Sequence, residues 1–221
     1  MNERELSVIS FDARRRIVFA LDVPGVSEAV RYAALLKDSV GVFKVGLELF
    51  IAAGPDVVRA VQETSGRGVF LDLKLHDIPA TVMNATRAAA RFSPQFLTVH
   101  SSDGSGVLKA AVEAAPGIKV LAVTVLTSSS AIELSEAGID ARYKDPLDLV
   151  VHRAMVAKYA GCAGVVCSGL EAKAVRKACG KDFLLVTPGI RGKDDPVGDQ
   201  KRVVTAYEAV KNGADYVVVG R

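Results

Sequence analysis

Short runs of β-branched and aliphatic residues alternate along the chain with Ala-rich stretches that have a helical pattern of apolar and polar positions. The first pattern predicts buried strands, and the second predicts helices packed against them. The predicted strands are Ile17–Leu21, Val42–Val45, Val69–Leu73, Phe96–Val99, Val120–Val125, Gly164–Val166, Leu184–Val186 and Tyr216–Val219. The predicted helices are Ser27–Leu36, Pro55–Glu63, Pro79–Arg91, Ser105–Ala114, Ala131–Glu136, Pro146–Tyr159, Leu170–Lys177 and Val203–Lys211.

This alternation predicts consecutive βα units and a parallel sheet, and eight units favour a closed barrel over an open doubly wound sheet. No linker interrupts the series, so we expect residues 1–221 to form one α/β domain, a (β/α)8 TIM barrel. A full barrel carries an eighth helix after the strand that ends at Gly220-Arg221, and we therefore expect that helix to be missing. The polar stretch Arg191–Gln200 is a candidate active-site flap.

The composition suits such a core and excludes some classes of protein. Hydrophobic residues make up 50% of the chain but aromatic residues only 6%, which favours a sheet of small aliphatic side chains covered by helices. The net charge of +3 is spread along the chain, which gives nucleic-acid binding no support. Apolar stretches such as Val120–Leu126 are too short to span a membrane, and residues 1–16 have no apolar signal core.

The cysteine pattern predicts neither disulfides nor a zinc site. The chain has an odd number of cysteines, Cys162, Cys167 and Cys179, and no two of them form a Cys-x-x-Cys pair. We interpret them as buried free thiols of a cytoplasmic protein. No spacing of His, Asp and Glu indicates another metal site.

Polar residues collect at the carboxyl ends of the predicted strands, where β/α barrels place their functional side chains. If the barrel closes, one rim brings together Asp22, Lys44, Asp72, Lys74, His100, Thr127, Pro188-Gly189-Ile190-Arg191 and Gly220-Arg221.

The densest charge cluster follows the third strand. Lys44, Asp72, Lys74 and Asp77 are expected to alternate in sign around one pocket, and each lysine would offset the desolvation of a neighbouring carboxylate. A structural network of ion pairs at the barrel mouth is the alternative, but four charges at adjacent strand ends favour a functional site.

A phosphate site is predicted after the last two strands. Gly220 allows close approach of the backbone, and Arg221, Arg191 and Gln200 offer donors to phosphate oxygens. A solvated loop arginine is the alternative for the Gly-Arg pair.

The three histidines carry weaker signals. His76 lies inside the charged segment and is interpreted as a supporting or solvent-facing residue, and His100 as a hydrogen-bonded histidine of the rim. His152 falls in a helical pattern and is expected to be structural.

Several segments together resemble the bacterial orotidine 5′-phosphate decarboxylase family along nearly the whole chain. The most specific is Asp72-x-Lys74-x-x-Asp77-Ile-Pro-x-Thr81. The others are Ala20-Leu21-Asp22, Phe43-Lys44-Val45-Gly46, Thr124-Val125-Leu126-Thr127, Thr187-Pro188-Gly189-Ile190-Arg191, Gln200 and Val218-Val219-Gly220-Arg221.

The resemblance implies a cofactor-free barrel that decarboxylates a nucleotide and works as a homodimer with active sites at the subunit interface. Lys74 would donate a proton to C6 of the pyrimidine, beside Asp72 at the leaving carboxylate. Lys44 would bridge Asp72 and the ribose, and Asp22 would hold a ribose hydroxyl.

The same resemblance implies that Asp77 and Thr81 reach the partner subunit's site. Thr127 would contact the base, with Ser128 as the alternative. The phosphate would be held by Gln200, Gly220 and Arg221, with Arg191 nearby.

Two other functions remain open at this point. Magnesium-dependent sugar-phosphate decarboxylases and hexulose-phosphate synthases share the Asp-x-Lys-x-x-Asp core, but Ile-Pro-Ala-Thr after Asp77 favours the nucleotide substrate. A barrel that binds a phosphate ligand without turnover is the second alternative.

Overall fold

The computed structural model describes residues 13–143, 145–192 and 203–220, and these form a closed parallel barrel. The strand order follows the chain from β1 to β8, and β8 pairs with β1 to close the sheet. The strands are β1 Ile17–Ala20, β2 Val42–Gly46, β3 Gly68–Leu75, β4 Phe96–His100, β5 Lys119–Val123, β6 Gly164–Val166, β7 Leu184–Thr187 and β8 Tyr216–Val219. The predicted (β/α)8 TIM-barrel fold is confirmed.

Helices connect the strands along the outside of the barrel. In the described part of the chain they are α1 Val26–Leu36, α2 Leu47–Ala53, α3 Asp56–Ser65, α4 Pro79–Ala90, α5 Ser105–Glu113, α6 Ala131–Glu136, α7 Pro146–Tyr159, α8 Ala172–Cys179 and α9 Ala206–Lys211, with a 3₁₀ turn at Ala141–Tyr143. Helix α2 was not predicted. It is short, follows β2 without a loop and has no side-chain cap at its start, so its start is marked only weakly, by Glu48 in the first turn.

Two apolar layers position the site. Inside the barrel, Val18, Val42, Phe70 and Phe96 are almost fully buried, and the rings of Phe70 and Phe96 meet edge to face at 5.8 Å. Outside it, aliphatic side chains of the sheet pack against the helices. Because side chains of the described strands fill the interior of the barrel, no channel passes through it, and a ligand can enter only at a rim.

Strand β3 contains a bulge at its carboxyl end. Leu71 pairs with Leu97 and Leu75 pairs with Val99, so four steps along β3 match two steps along β4. Within this bulge Lys74 has φ +49°, which is uncommon for a residue with a side chain. Bulges commonly redirect side chains beside active sites, and this one carries the most specific sequence motif.

All three cysteines are buried and free, as predicted. Burial raises the pKa of the Cys162 thiol to about 12, which keeps it protonated and unreactive at neutral pH. Within residues 13–143, 145–192 and 203–220, no helix has the length and apolar character needed to cross a membrane.

Candidate active site

A cavity of about 260 Å³ opens at the carboxyl ends of the strands. Phe70 forms part of its floor, and one wall is apolar, with Val123 and Val166 among its residues. The cavity is lined by Ala20, Asp22, Lys44, Phe70, Asp72, Lys74, Val123, Val125, Leu126, Thr127, Ser128, Val166, Cys167, Pro188, Gly189, Arg191, Val218, Val219 and Gly220. Its combination of an apolar wall with a few polar groups is typical of a site for a small organic ligand.

Four charged side chains form a row of alternating sign along the opposite wall. The Nζ of Lys44 lies 3.2 Å from Oδ1 of Asp22 and 3.8 Å from Oδ2 of Asp72. The same Oδ2 accepts a hydrogen bond of 2.8 Å from Nζ of Lys74. The Asp72 side chain is only 12% exposed, so the two ammonium groups offset the cost of burying its charge.

Neighbouring strands set the spacing of this row. Lys44 lies on β2 opposite Phe70, and Gly46 lies opposite Asp72. A Cβ atom at Gly46 would come within 2.9 Å of the Lys44 Nζ, so the glycine leaves room for the ammonium between its two carboxylates. Glycine at this position therefore has a steric reason that does not depend on backbone conformation, since its φ is −94°.

Thr98 on β4 contacts this row and was not predicted from the sequence. Its hydroxyl donates to Oδ1 of Asp72 at 2.9 Å and accepts the backbone N–H of Lys74 at 2.8 Å. The side chain is fully buried. The one available signal was a polar residue within the otherwise apolar run Phe96–Val99, which a strand tolerates without any function.

Asp77 and Thr81 lie outside the cavity of their own chain, in contrast to the predicted grouping of four charges around one pocket. Both are exposed, on the turn after β3 and the first part of α4. The Asp77 carboxylate accepts the backbone N–H of Ile78 at 2.7 Å, which holds the turn, and Asp22 completes the charge row instead.

The side of the cavity where phosphate was predicted is built from glycines and one described cation. Gly189 has φ +75°, and a Cβ at Gly220 would meet that of Ala20 at 3.1 Å. Arg191 lines the cavity while its Nη1 donates to the Ile190 carbonyl at 2.9 Å. Gln200 and Arg221, the other predicted phosphate ligands, lie outside the described residues.

The predicted base contacts, Thr127 and Ser128, both line the cavity on the loop after β5. The structure therefore brings either hydroxyl to the same space as the charge row, and the choice between them stays open.

Two histidines stack beside the row. The rings of His76 and His100 lie 5.0 Å apart at 18°, and Ser102 Oγ lies within hydrogen-bond distance of both, at 3.2 Å and 2.9 Å. Burial lowers the pKa of His100, and the nearby charges of His76 and Arg153 lower it further.

His152 lies on the exposed surface of α7, and its ring centroid is 5.5 Å from that of Tyr143. It does not line the cavity.

Residues 15–221 match the model of the orotidine 5′-phosphate decarboxylase / HUMPS family. The chain belongs to this family. Among curated family members, the orotidine 5′-phosphate decarboxylase of Anaeromyxobacter sp. is 51% identical over 207 residues, which are 93% of this chain and 89% of that relative. The enzyme of the same name from Pelobacter propionicus is 46% identical over 216 residues, covering 95% and 88%.

Solved structures of the family agree with the fold. The orotidine 5′-phosphate decarboxylase of Lactobacillus acidophilus superposes with a TM-score of 0.80 at 36% identity, over 94% of this chain and 90% of that one. The protein of the same name from Pyrococcus horikoshii has a TM-score of 0.75 at 28% identity, with coverage of 93% and 89%.

Proposed function

We propose that this chain converts orotidine 5′-monophosphate to uridine 5′-monophosphate and carbon dioxide in pyrimidine biosynthesis, without a cofactor. The observation that carries the proposal is the ammonium of Lys74, held 2.8 Å from a buried Asp72 carboxylate at the wall of a cavity. Membership of the family and the names of its similar relatives support the same reaction.

In the proposed reaction, the bond between C6 and the carboxylate carbon breaks and carbon dioxide leaves. The electron pair stays on C6, and Lys74 delivers a proton to that carbon. A fixed ammonium aimed at the developing carbanion lowers the barrier because it requires no reorganisation when the charge appears. The neutral amine of Lys74 then regains a proton from solvent after product release.

Asp72 has two effects in this scheme. It holds the Lys74 ammonium in place, and it faces the substrate carboxylate with a charge of the same sign. Two like charges 4 Å apart repel by about 4 kcal/mol at an effective dielectric of 20. Because enzymes lower barriers by roughly 8–23 kcal/mol, this repulsion supplies only part of the effect, and the fixed ammonium contributes as well.

The remaining lining residues would bind the parts of the substrate that do not react. Asp22 and Lys44, joined at 3.2 Å, offer an acceptor and a donor to the ribose hydroxyls. Gly220 and Arg191 border the space for the phosphate, with Gln200 and Arg221 proposed to join them. Binding at the phosphate is remote from C6, so its energy can be used to orient the reacting carbon.

We propose further that the active protein is a homodimer in which Asp77 and Thr81 enter the partner subunit's cavity. The support is the exposure of Asp77 on the turn after β3 and of Thr81 on the first part of α4, near Ile78, a large apolar side chain that is 66% exposed. A second copy of the chain is the occupant that would cover Ile78 and use these polar groups. A cytoplasmic location also remains a prediction, which the buried free thiols support.

Carbon dioxide release from orotidine 5′-monophosphate, with and without a strong chelator, tests the reaction. We expect equal rates in both conditions, because the proton donor and the charge stabilisation come from side chains. Activity that disappears with the chelator and returns with magnesium would favour the metal-dependent relatives. Nucleotide binding without release in either condition would favour a binding protein.

Mixed dimers test the shared site. Asp77→Ala and Lys74→Ala are each expected to be inactive alone, whereas mixing them should restore activity at about one quarter of all sites, because half of the dimers carry one intact site. Subunit exchange is verified with differently tagged chains, and absence of recovery after verified exchange would contradict the proposal. Mixing Asp72→Ala with Lys74→Ala is the matched control, since both defects lie in one cavity and no intact site can form.

A further inference from the structure

The bulge of β3 faces a single residue of β4. Leu97 and Val99 pair with Leu71 and Leu75, so Thr98 alone lies opposite residues 72–74. On the β4 side the bulge takes these three residues out of the regular ladder, and their backbone groups facing β4 need other partners.

The Thr98 hydroxyl provides that partner and reaches the charge row with the same atom. Its oxygen accepts the Lys74 N–H at 2.8 Å and donates its own proton to Oδ1 of Asp72 at 2.9 Å. The other carboxylate oxygen, Oδ2, bonds the Lys74 ammonium at 2.8 Å. The hydroxyl, the carboxylate and the lysine therefore form a closed ring of hydrogen bonds between two strands.

The ring holds a conformation that the chain does not favour by itself. Lys74 has φ +49°, a region that costs free energy for a residue with a Cβ and persists only where the surroundings enforce it. Thr98 is fully buried and does not line the cavity, so its contacts to Asp72 and Lys74 are shielded from solvent and separate from the space for a substrate.

We propose that Thr98 is a positioning residue that aims the Lys74 ammonium by fixing both the Asp72 carboxylate and the backbone of Lys74. The inference rests on the proposed function, since the aim matters through the reaction at C6. A hydroxyl combines a strong donor and a strong acceptor in one small group, so serine can replace threonine whereas valine cannot.

The test compares Thr98→Val with Thr98→Ser. Valine keeps the shape but removes both hydrogen bonds, and we expect kcat to fall by about 10²-fold, as misplacement of a reacting group by about 1 Å does. KM for orotidine 5′-monophosphate should change little, because Thr98 lies outside the cavity. Serine should restore most of kcat. If Thr98→Val does not fold, Thr98→Cys replaces it, since a thiol of similar size is a weak donor and acceptor.

Thr124→Val is the matched control. Thr124 is also fully buried at a strand end of the same rim, but its hydroxyl donates only to the Val166 carbonyl at 2.9 Å. We expect this variant to lose stability while keeping the wild-type kcat. An equal fall of kcat in both valine variants would overturn the proposal, as would a Thr98→Ser variant no better than Thr98→Val.

Hydrogen exchange at the Lys74 amide supplies a readout that does not depend on turnover. We expect faster exchange in Thr98→Val than in the wild type, and wild-type protection in Thr98→Ser. Unchanged protection in Thr98→Val would overturn the proposal. If the wild type released no carbon dioxide, the proposed function would fail. Amide exchange, together with the Asp72–Lys74 geometry in a crystal structure of the valine variant, would then decide whether Thr98 positions these two residues.

Discussion

Charged clusters lie at both ends of the barrel, and they use their hydrogen bonds differently. At the amino ends of β7 and β8, Arg176 pairs with Asp215 at 2.7 Å, and Oδ2 of Asp215 also accepts the Leu185 N–H at 2.8 Å. The Arg176 guanidinium also donates to the backbone carbonyls of Gly180, Lys181, Phe183 and Gly213. At the carboxyl end, the ammonium groups of Lys44 and Lys74 contact carboxylates at the wall of a cavity.

The difference separates a structural ion pair from a site for chemistry. A guanidinium whose donors are taken up by fixed carbonyls joins loops and has little left for a ligand. An ammonium has three donors. The Lys74 side chain is 33% exposed and lies beside space for a substrate. The two clusters differ less in the presence of charge than in whether backbone groups already take up the hydrogen-bond donors of the cation.

The largest expected effect is that of Lys74→Ala on turnover. Loss of the aimed ammonium should lower kcat by at least about 10³-fold, while Asp72 keeps Lys44 as a partner and the protein stays folded. The rate of carbon dioxide release measures kcat, and the thermal midpoint measures whether the variant stays folded. Lys119→Ala is the control, because Lys119 begins β5 at the opposite end and its Nζ lies over the Phe96 ring at 5.8 Å. Substantial remaining activity in Lys74→Ala would remove Lys74 from its proposed role.

Arg176→Met should give the opposite result. Losing the guanidinium removes the ion-pair partner of Asp215 and the donor to several carbonyls, and we expect the free energy of unfolding to fall by roughly 3 kcal/mol. Urea denaturation measures this, and kcat per folded molecule should match the wild type. Arg59→Met is the control, since Arg59 lies over the Phe92 ring on the surface of α3. A loss of kcat without a loss of stability would show that the comparison between the two ends is wrong.

Gly46→Ala should have a smaller effect confined to the rim. The added methyl group meets the Lys44 Nζ at 2.9 Å, so the ammonium must shift, and we expect kcat/KM to fall roughly tenfold. Gly25→Ala is the control, because a Cβ there meets no atom within 4 Å and its φ of −164° suits any residue. Equal kinetics in the two variants would exclude steric control of Lys44 by this glycine.

The smallest expected effect is a pH dependence of stability that originates at the rim. Because the pKa of His100 is lowered in the folded protein, the unfolded chain binds the proton first as the pH falls below about 6.5. Stability is therefore lost from that pH down to the folded-state pKa. The groups that face His100 are His76, Arg153, Asp103 and Lys74.

His100→Asn should flatten the fall in denaturation midpoint between about pH 7 and pH 5. His152→Asn is the control for removal of a histidine, because His152 is exposed and is not among the groups that face His100. A His100→Asn slope equal to that of the wild type would assign the acid sensitivity to other groups.

Local patterns were sufficient for the elements of the barrel. Strands Gly164–Val166 and Tyr216–Val219 and helix Pro146–Tyr159 begin and end where predicted, since buried aliphatic runs and the Asp145-Pro146 start are signals within a few residues. Helix α2 was missed because no side chain caps its start. Parts of the site whose residues are close together in the sequence, such as the Asp72-Leu73-Lys74 motif, were also predicted from the sequence.

The sequence by itself determined the order of strands and helices, the barrel they close and the charged motif at its rim. The tertiary structure decided which of these charges meet. It brought Asp22 into the row and left Asp77 on the outside, placed Thr98 against the β3 bulge, and joined Arg176 to Asp215 across 39 positions. Periodicity reports which face of an element is buried, but pairs distant in sequence depend on register, and one irregularity in β3 was enough to change its partners.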